Sequence, residues 1–282
     1  MKSKFLYLSL LTIPIIIFSC SKENIEKFDS EVIKQWYIPI AAKNILPAPA
    51  GIPDTGTVNF QLFSDNSIRY ELTVKNLSNN DVLSAAHLSA GDPVTNGNVV
   101  LDLTPTSKFP STLGANTSAY GVVTGLRKSL VDSLLNNSTD LYFELFSVQH
   151  PAGFARGQLN MRIEFSADIT LTGNEEVPQV STTAIGKTWL RLTANKKLYS
   201  KVTITNNEPG DPFTMAHIHR AAIGMNGPVL ITLASATADF GVTKIIDLDQ
   251  AGFNTLINDS RLYVNAHSTL FPAGKIRGQI RN

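Results

Sequence analysis

Ala216-His217-Ile218-His219 sets two imidazoles two residues apart in an alternating segment, and in an extended strand positions i and i+2 share a face. His217 and His219 would then point together, with Ala216 and Ile218 turned the other way. A side-by-side pair of this kind can offer two ring nitrogens to Zn or Cu. His267 closes Tyr263-Val264-Asn265-Ala266-His267, on the same face of its strand as Tyr263 and Asn265, and is the candidate third ligand. The competing reading is structural: the histidines hydrogen-bond loop backbone and hold the Asn226-Gly227-Pro228 turn against a sheet.

Other side chains offer less. Glu175 and Glu176 are adjacent, so in an extended chain they face opposite ways and make no acid/base dyad. Glu176 suits a partner for a fixed cation, and Arg277 and Arg156, each in Arg-Gly-Gln, are the candidates. A planar guanidinium can satisfy several acceptors at once, so an arginine capping loop carbonyls fits the same pattern. The sequence has no Gly-x-Ser-x-Gly elbow, no phosphate-binding glycine loop and no cysteine besides Cys20. A net charge of +1 gives no reason to expect nucleic acid as a partner.

The elements that must position these residues occur twice. At a constant shift of 130, Asn44 matches Asn174, Gly56 Gly186, Leu62 Leu192, Asp81 Asp211, His87 His217 and Asn96-Gly97 Asn226-Gly227. At a shift of 121, Leu141-Tyr142 matches Leu262-Tyr263, and Pro151–Gln158 matches Pro272–Gln279. The change of shift is a nine-residue surplus in the first copy, expected as a loop over Thr104–Tyr120. Units of this length can each bury a core. In the first copy Ser89 stands in place of His219 and Phe146 in place of His267, so the trio belongs to the second copy alone.

Alternation predicts strands in both copies. Leu198, Val202 and Ile204 share one face and Tyr199, Lys201 and Thr203 the other, and Ile68–Val74 keeps the pattern. Further strands are expected over Thr57–Phe63, Thr188–Thr193, Val99–Leu103, Val229–Leu233, Leu141–Val148 and Leu262–His267. Leu126, Leu130 and Leu134 in one copy, and Phe253, Leu256 and Ile257 in the other, have helical spacing. The expected fold is all-β: two tandem, Greek-key-like antiparallel β-sandwiches, each with one short helix. The join at Met161–Ser166 lacks Gly and Pro, which argues for a rigid pair, with the interface itself one place for a ligand.

The amino terminus carries an address. Lys2 and Lys4 precede an apolar run from Phe5 to Phe18, too short for the ~20 residues a membrane-spanning helix needs, so it reads as a secretion signal. Cys20, after Ile17-Phe18-Ser19, resembles the lipid-modified cysteine of a bacterial lipoprotein, with Phe18 bulkier than usual there. The expected organisation is a signal peptide over 1–19, a tether over 20–35, and domains over 36–163 and 164–282.

Leu171-Thr172-Gly173-Asn174-Glu175-Glu176-Val177-Pro178, Ala216-His217-Ile218-His219, Asn226-Gly227-Pro228-Val229, Tyr263–His267 and Phe271–Gln279 follow one another in an order that resembles the CHRD domain, named after the repeats of chordin. The first copy is a degenerate relative, with Ala41–Pro47 where the Glu-Val-Pro signature would stand. The resemblance implies an extracellular β-rich module and no settled activity. The leading expectation is a lipid-anchored, non-enzymatic binding or structural module of a bacterial cell envelope. It would face the periplasm or the cell surface, touch the membrane through its anchor, have a protein or glycan ligand and need no cofactor. The alternative is a Zn- or Cu-binding protein using His217, His219 and His267. A His-x-His strand in a sandwich is similar to copper-zinc superoxide dismutases, which extends that alternative to a redox enzyme, but the similarity stops at the tripeptide and the sandwich.

Overall fold

The computed structural model describes residues 30–49, 51, 55–75, 81–107 and 116–280; the expected signal peptide and Cys20 lie outside them. Glu31–Asn282 forms one compact unit. Among the described residues no helix is long and apolar enough to cross a membrane.

The first copy runs β1 (Val32–Ala41), β2 (Thr55–Phe63), β3 (Ile68–Lys75), β4 (Leu83–Ala90), β5 (Val99–Asp102), β6 (Asn116–Val123), α1 (Lys128–Asn136), β7 (Leu141–Ser147) and β8 (Ala155–Gln158). The second repeats it as β9 (Ile163–Thr172), β10 (Ile185–Thr193), β11 (Lys197–Thr205), β12 (Phe213–Arg220), β13 (Val229–Ala234), β14 (Lys244–Asp247), α2 (Gln250–Asn258), β15 (Leu262–Ser268) and β16 (Ile276–Gln279). Each copy is one eight-stranded antiparallel sheet, ordered β5-β4-β7-β8-β1-β2-β3-β6 and β13-β12-β15-β16-β9-β10-β11-β14. Among the described residues one pair joins the halves of each sheet, Ala41 with Arg156 and Thr172 with Arg277. The sheet therefore folds along that seam into two facing leaves, as the alternating strands require.

The leaves enclose one core per copy. Ile38, Phe60, Tyr70 and Leu72 face Leu88, Phe143 and Leu145 in the first; Ile169, Leu190 and Val202 face Ile218, Val264 and Ala266 in the second. The two helices cover most of the expected positions, burying Leu130, Val131 and Leu134 on α1 and Leu256 on α2, whereas Leu126 lies ahead of α1, which begins at Lys128. Asp249 caps α2 by accepting the Gly252 N–H at 2.7 Å.

Two segments differ from the sequence reading. The surplus Thr104–Tyr120 is not all loop, because its last five residues, 116–120, belong to β6, which pairs with β3 over eight positions, where β14 pairs with β11 over four. The edge strand of the first copy is thus longer by four paired positions. β1, in turn, starts at Val32, inside the stretch expected as a tether. Lys34 holds it there, donating from Nζ to the Leu135 carbonyl at 3.0 Å and to Asn137 Oδ1 at 2.6 Å, at the carboxyl end of α1 where a cation is favoured.

The copies touch through unlike surfaces. The wholly buried Arg191 on β10 pairs with Asp168 on β9 at 2.7 Å and donates to the Ile45 carbonyl at 3.0 Å. The Ala48 N–H donates to Asp168 Oδ2 at 2.8 Å, and Ser166 Oγ lies 2.7 Å from Asn44 Oδ1. Loops of the first copy therefore dock on the outer sheet face of the second. The crevice left between them, lined by Val94 and Thr95 against Trp189 and Lys201, is only about 220 Å³, small for a ligand pocket.

Candidate functional site

The core-facing alternation of β12 and β15 sends their other side chains to the outside of the leaf. The strands pair with Met215 opposite His267, His217 opposite Asn265 and His219 opposite Tyr263. Toward β13 the register of β12 breaks before His217 and again before His219, as bulges that re-aim side chains do. Although this is the outer face, His219, Tyr263, Asn265 and His267 are buried, because three loops fold over it: 176–181, 221–228 and 269–274. His217 is half-buried at the edge of that cover.

The three rings meet, with one potential ligand nitrogen from each lying within 4.8 Å of the others. His219 Nδ1 lies 3.0 Å from the Gly227 carbonyl and His267 Nδ1 3.0 Å from the Pro272 carbonyl. A carbonyl only accepts, so both Nδ1 atoms carry hydrogen and both Nε2 atoms keep a lone pair in the neutral ring. His217 Nδ1 lies 3.1 Å from His267 Nε2 and so donates to it. His219 Nε2 is buried and has no hydrogen-bond partner, and the same is true of Asn265 Oδ1. Burial, then the neighbouring His267 and His219, push the pKa of His217 down to about 4. Burial also lowers His219 and His267, so near neutral pH all three rings are uncharged donors of a lone pair.

Arg277 caps carbonyls rather than pairing directly with Glu176. It lies flat on Tyr263, 3.5 Å from the ring centre, and donates to Asn226 Oδ1 at 3.2 Å and the Ala222 carbonyl at 3.4 Å. Asn226 passes the connection on to the Val177 carbonyl at 2.7 Å, and the Gly227 N–H donates to the Tyr263 hydroxyl at 3.1 Å. The 221–228 loop is thereby clamped to the sheet. Arg156 makes the same clamp in the first copy, on Tyr142 at 3.5 Å, with Asn96 Oδ1 at 2.8 Å and the Asp92 carbonyl at 2.7 Å. Asn96 there reaches the Leu46 carbonyl at 2.8 Å.

Glu176 lies under the loop, accepting from Asn265 Nδ2 at 3.2 Å. Burial raises its pKa to about 7, against the pull of the Arg277 charge. It does not stand with Glu175 on one face of a site, consistent with their adjacency in sequence.

The first-copy counterpart holds no such trio. His87 lies against Phe146, rings 4.7 Å apart, and Ser89 stands where His219 would be.

A buried lysine was missed by sequence reasoning. Lys275, 1% exposed, donates to Asp211 Oδ2 at 2.7 Å and Asn207 Oδ1 at 2.8 Å, and pairs with Glu208 at 2.6 Å. Burial opposes its charge, but the Asp211 and Glu208 contacts outweigh burial and its pKa is raised. Asp211 also takes the Leu270 N–H and the Ser268 hydroxyl, each at 2.8 Å, which anchors the 269–274 loop. The match of Asp81 with Asp211 was the available signal, but its partner is not repeated: Phe154 occupies the place of Lys275.

The family model described as CHRD domain matches residues 38–159 and 167–280. No curated protein matches the chain, and no solved structure does.

Proposed function

Because the chain belongs to the CHRD domain family, in two tandem copies of a non-catalytic, extracellular-type module, we propose that it is a binding module of a bacterial cell envelope, anchored by lipid on Cys20. The observation that carries the reading is the use already made of one loop rim. In the first copy, the loops held by Arg156 and Asn96 form the surface that docks on the second copy's sheet. The second copy builds the corresponding rim with Arg277 and Asn226. There the apolar tips Ile223 and Met225 are 65% and 61% exposed, and Leu270 on the neighbouring 269–274 loop is 68% exposed. Exposed apolar side chains on loops held rigid are what a protein or glycan partner can use without a large ordering cost. Beside the rim runs a groove of about 520 Å³ lined by Val177, Pro178, Leu270 and Pro272.

The envelope address rests on the leader and on Cys20. A lipid chain there would add ~0.8 kcal/mol of membrane affinity per buried methylene, and two or three chains make a stable anchor. Metabolic labelling of producing cells with an alkynyl fatty acid, comparing the natural chain with Cys20→Ala, tests this. Label and membrane fractionation present in the first and lost in the second are expected, and protease shaving of intact cells reports which side the domains face. An unlabelled chain recovered from the cytosol would overturn the envelope reading.

A further inference from the structure

We infer that His217, His219 and His267 together bind one zinc or copper ion on the outer face of β12 and β15, a site that goes beyond the binding-module reading and does not depend on the lipid anchor. The first argument is the second shell. Metal-bound histidines ordinarily donate their other ring N–H to a backbone carbonyl or carboxylate, which fixes the tautomer and aims the lone pair. His219 and His267 are fixed in this way by Gly227 and Pro272, both at 3.0 Å.

The second argument is the orphaned acceptor. His219 is 7% exposed, and its Nε2 has no hydrogen-bond partner. Buried polar atoms are rarely left so, and a lone pair that no protein donor meets calls for an ordered water or a cation. His267 Nε2 offers the second lone pair, and moving the His217 proton from Nδ1 to Nε2 supplies the third. His217 Nδ1 and His267 Nε2, 3.1 Å apart, already have about the ~3.3 Å separation of two nitrogens each ~2.0 Å from a tetrahedral ion. One nitrogen from each of the three rings lies within 4.8 Å of the others, a spread that an ion would draw in toward that separation.

The third argument is that loop anchoring does not need the imidazoles. In the first copy the equivalent loop is held by Tyr142 and Arg156 with Ser89 in place of His219 and Phe146 in place of His267. Tyr263 and Arg277 repeat those anchors in the second copy. The histidines are thus additional to the clamp. Met215, opposite His267 and 38% exposed, and the half-buried His217 mark the side from which an ion enters and where a water completes the coordination. Borderline imidazole nitrogens without a thiolate or carboxylate suit Zn and Cu, not Ca or Mg.

The test is titration of the full-length chain, purified in detergent and stripped of metal by chelation, with Zn(II), Cu(II) and Cu(I) in separate arms. One ion per chain is expected from at least one arm. His219→Ser and His267→Phe import the residues that the first copy packs at these positions, and His217→Ala removes a ring that bonds no loop. Each variant is expected to keep the native circular dichroism spectrum and to weaken binding roughly tenfold or more. Zinc or copper binding with this dependence supports the site and identifies the ion. No stoichiometric uptake in any arm, or uptake unchanged in folded His217→Ala and His219→Ser, overturns it.

Discussion

Glu144 and Glu176 put a carboxylate in corresponding places of the two copies from positions that do not correspond. Glu144 stands on β7, opposite His87, whereas Glu176 lies in the loop before β10 and reaches Asn265, which takes Glu144's place on β15. Both carboxylates lie beside the equivalent glycines: a Cβ on Gly153 would be 3.1 Å from Glu144 Oε1, and one on Gly274 2.9 Å from Glu176 Oε1. A carboxyl thus stands near each clamping arginine, carried by a different position in each copy.

Gly274 has φ +136°, and an added Cβ would press on Asn265 and Glu176. Gly274→Ala is expected to cost about 2 kcal/mol or more, from backbone strain together with displacement of the polar pair. Denaturant unfolding measures it. A change within about 0.5 kcal/mol would mean that the loop moves freely out of the way.

The relocated carboxylates give stability a pH dependence of definite sign. Glu176 has its pKa raised by burial to about 7, and Glu144 is raised by burial as well. Between the unfolded value and the folded one, the native chain holds more protons than the unfolded chain, so stability falls as pH rises through that window. From roughly pH 4.5 to 7 the natural chain should therefore lose stability relative to a Glu144→Gln, Glu176→Gln double variant. Urea midpoints for both proteins at the two ends of the range decide it; a constant difference would contradict the account.

Arg191 and Asp168 join the copies from within the second. Asp168→Ala leaves a guanidinium buried without its carboxylate and is expected to cost about 3 kcal/mol, with the added cost of Arg191→Met on that background much smaller than on the natural one. A double-mutant cycle supplies the coupling. Calorimetry of Arg191→Met should also show a broader, less cooperative unfolding transition, since the bond to Ile45 is lost while Ala48–Asp168 and Ser166–Asn44 still join the copies.

Arg277→Lys keeps the charge but loses the flat stack on Tyr263 and the fork that serves Asn226 and Ala222 together. Cleavage within 221–227 under limited proteolysis should accelerate in Arg277→Lys and more so in Arg277→Ala, which is expected to lose on the order of 3 kcal/mol. Equal protection in all three proteins would remove the clamp from the account.

What the sequence made legible was whatever repeats or alternates. Period-two strands such as Leu198–Thr205 lie where expected, and strand geometry alone puts His217 with His219 and His267 with Tyr263 and Asn265, while the pairing of the two strands that joins these faces comes from the structure. The role of Arg277 stayed open, because arginines that pair with carboxylates and arginines that cap carbonyls have the same local sequence. β14 was hidden because it is only four residues long, and the start of β6 because Asn116-Thr117-Ser118 carries no apolar alternation. Lys275 was hidden because its partners, Asn207 and Asp211, are more than sixty residues away. The docking of Ile45 on Arg191 was hidden for the same reason: a charge on an outer sheet face reads as solvated until another loop covers it.

The binding role itself is tested most directly by placing a photo-crosslinking amino acid at Met225, on the open rim, and at Thr95, its counterpart beside Thr243 in the covered one. In living cells Met225 should form an adduct with a discrete envelope component, lost when Arg277→Ala frees the loop, while Thr95 should crosslink only within the chain. Absence of any intermolecular adduct from Met225, with Thr95 crosslinked internally as a control, would contradict the claim that this rim engages a partner.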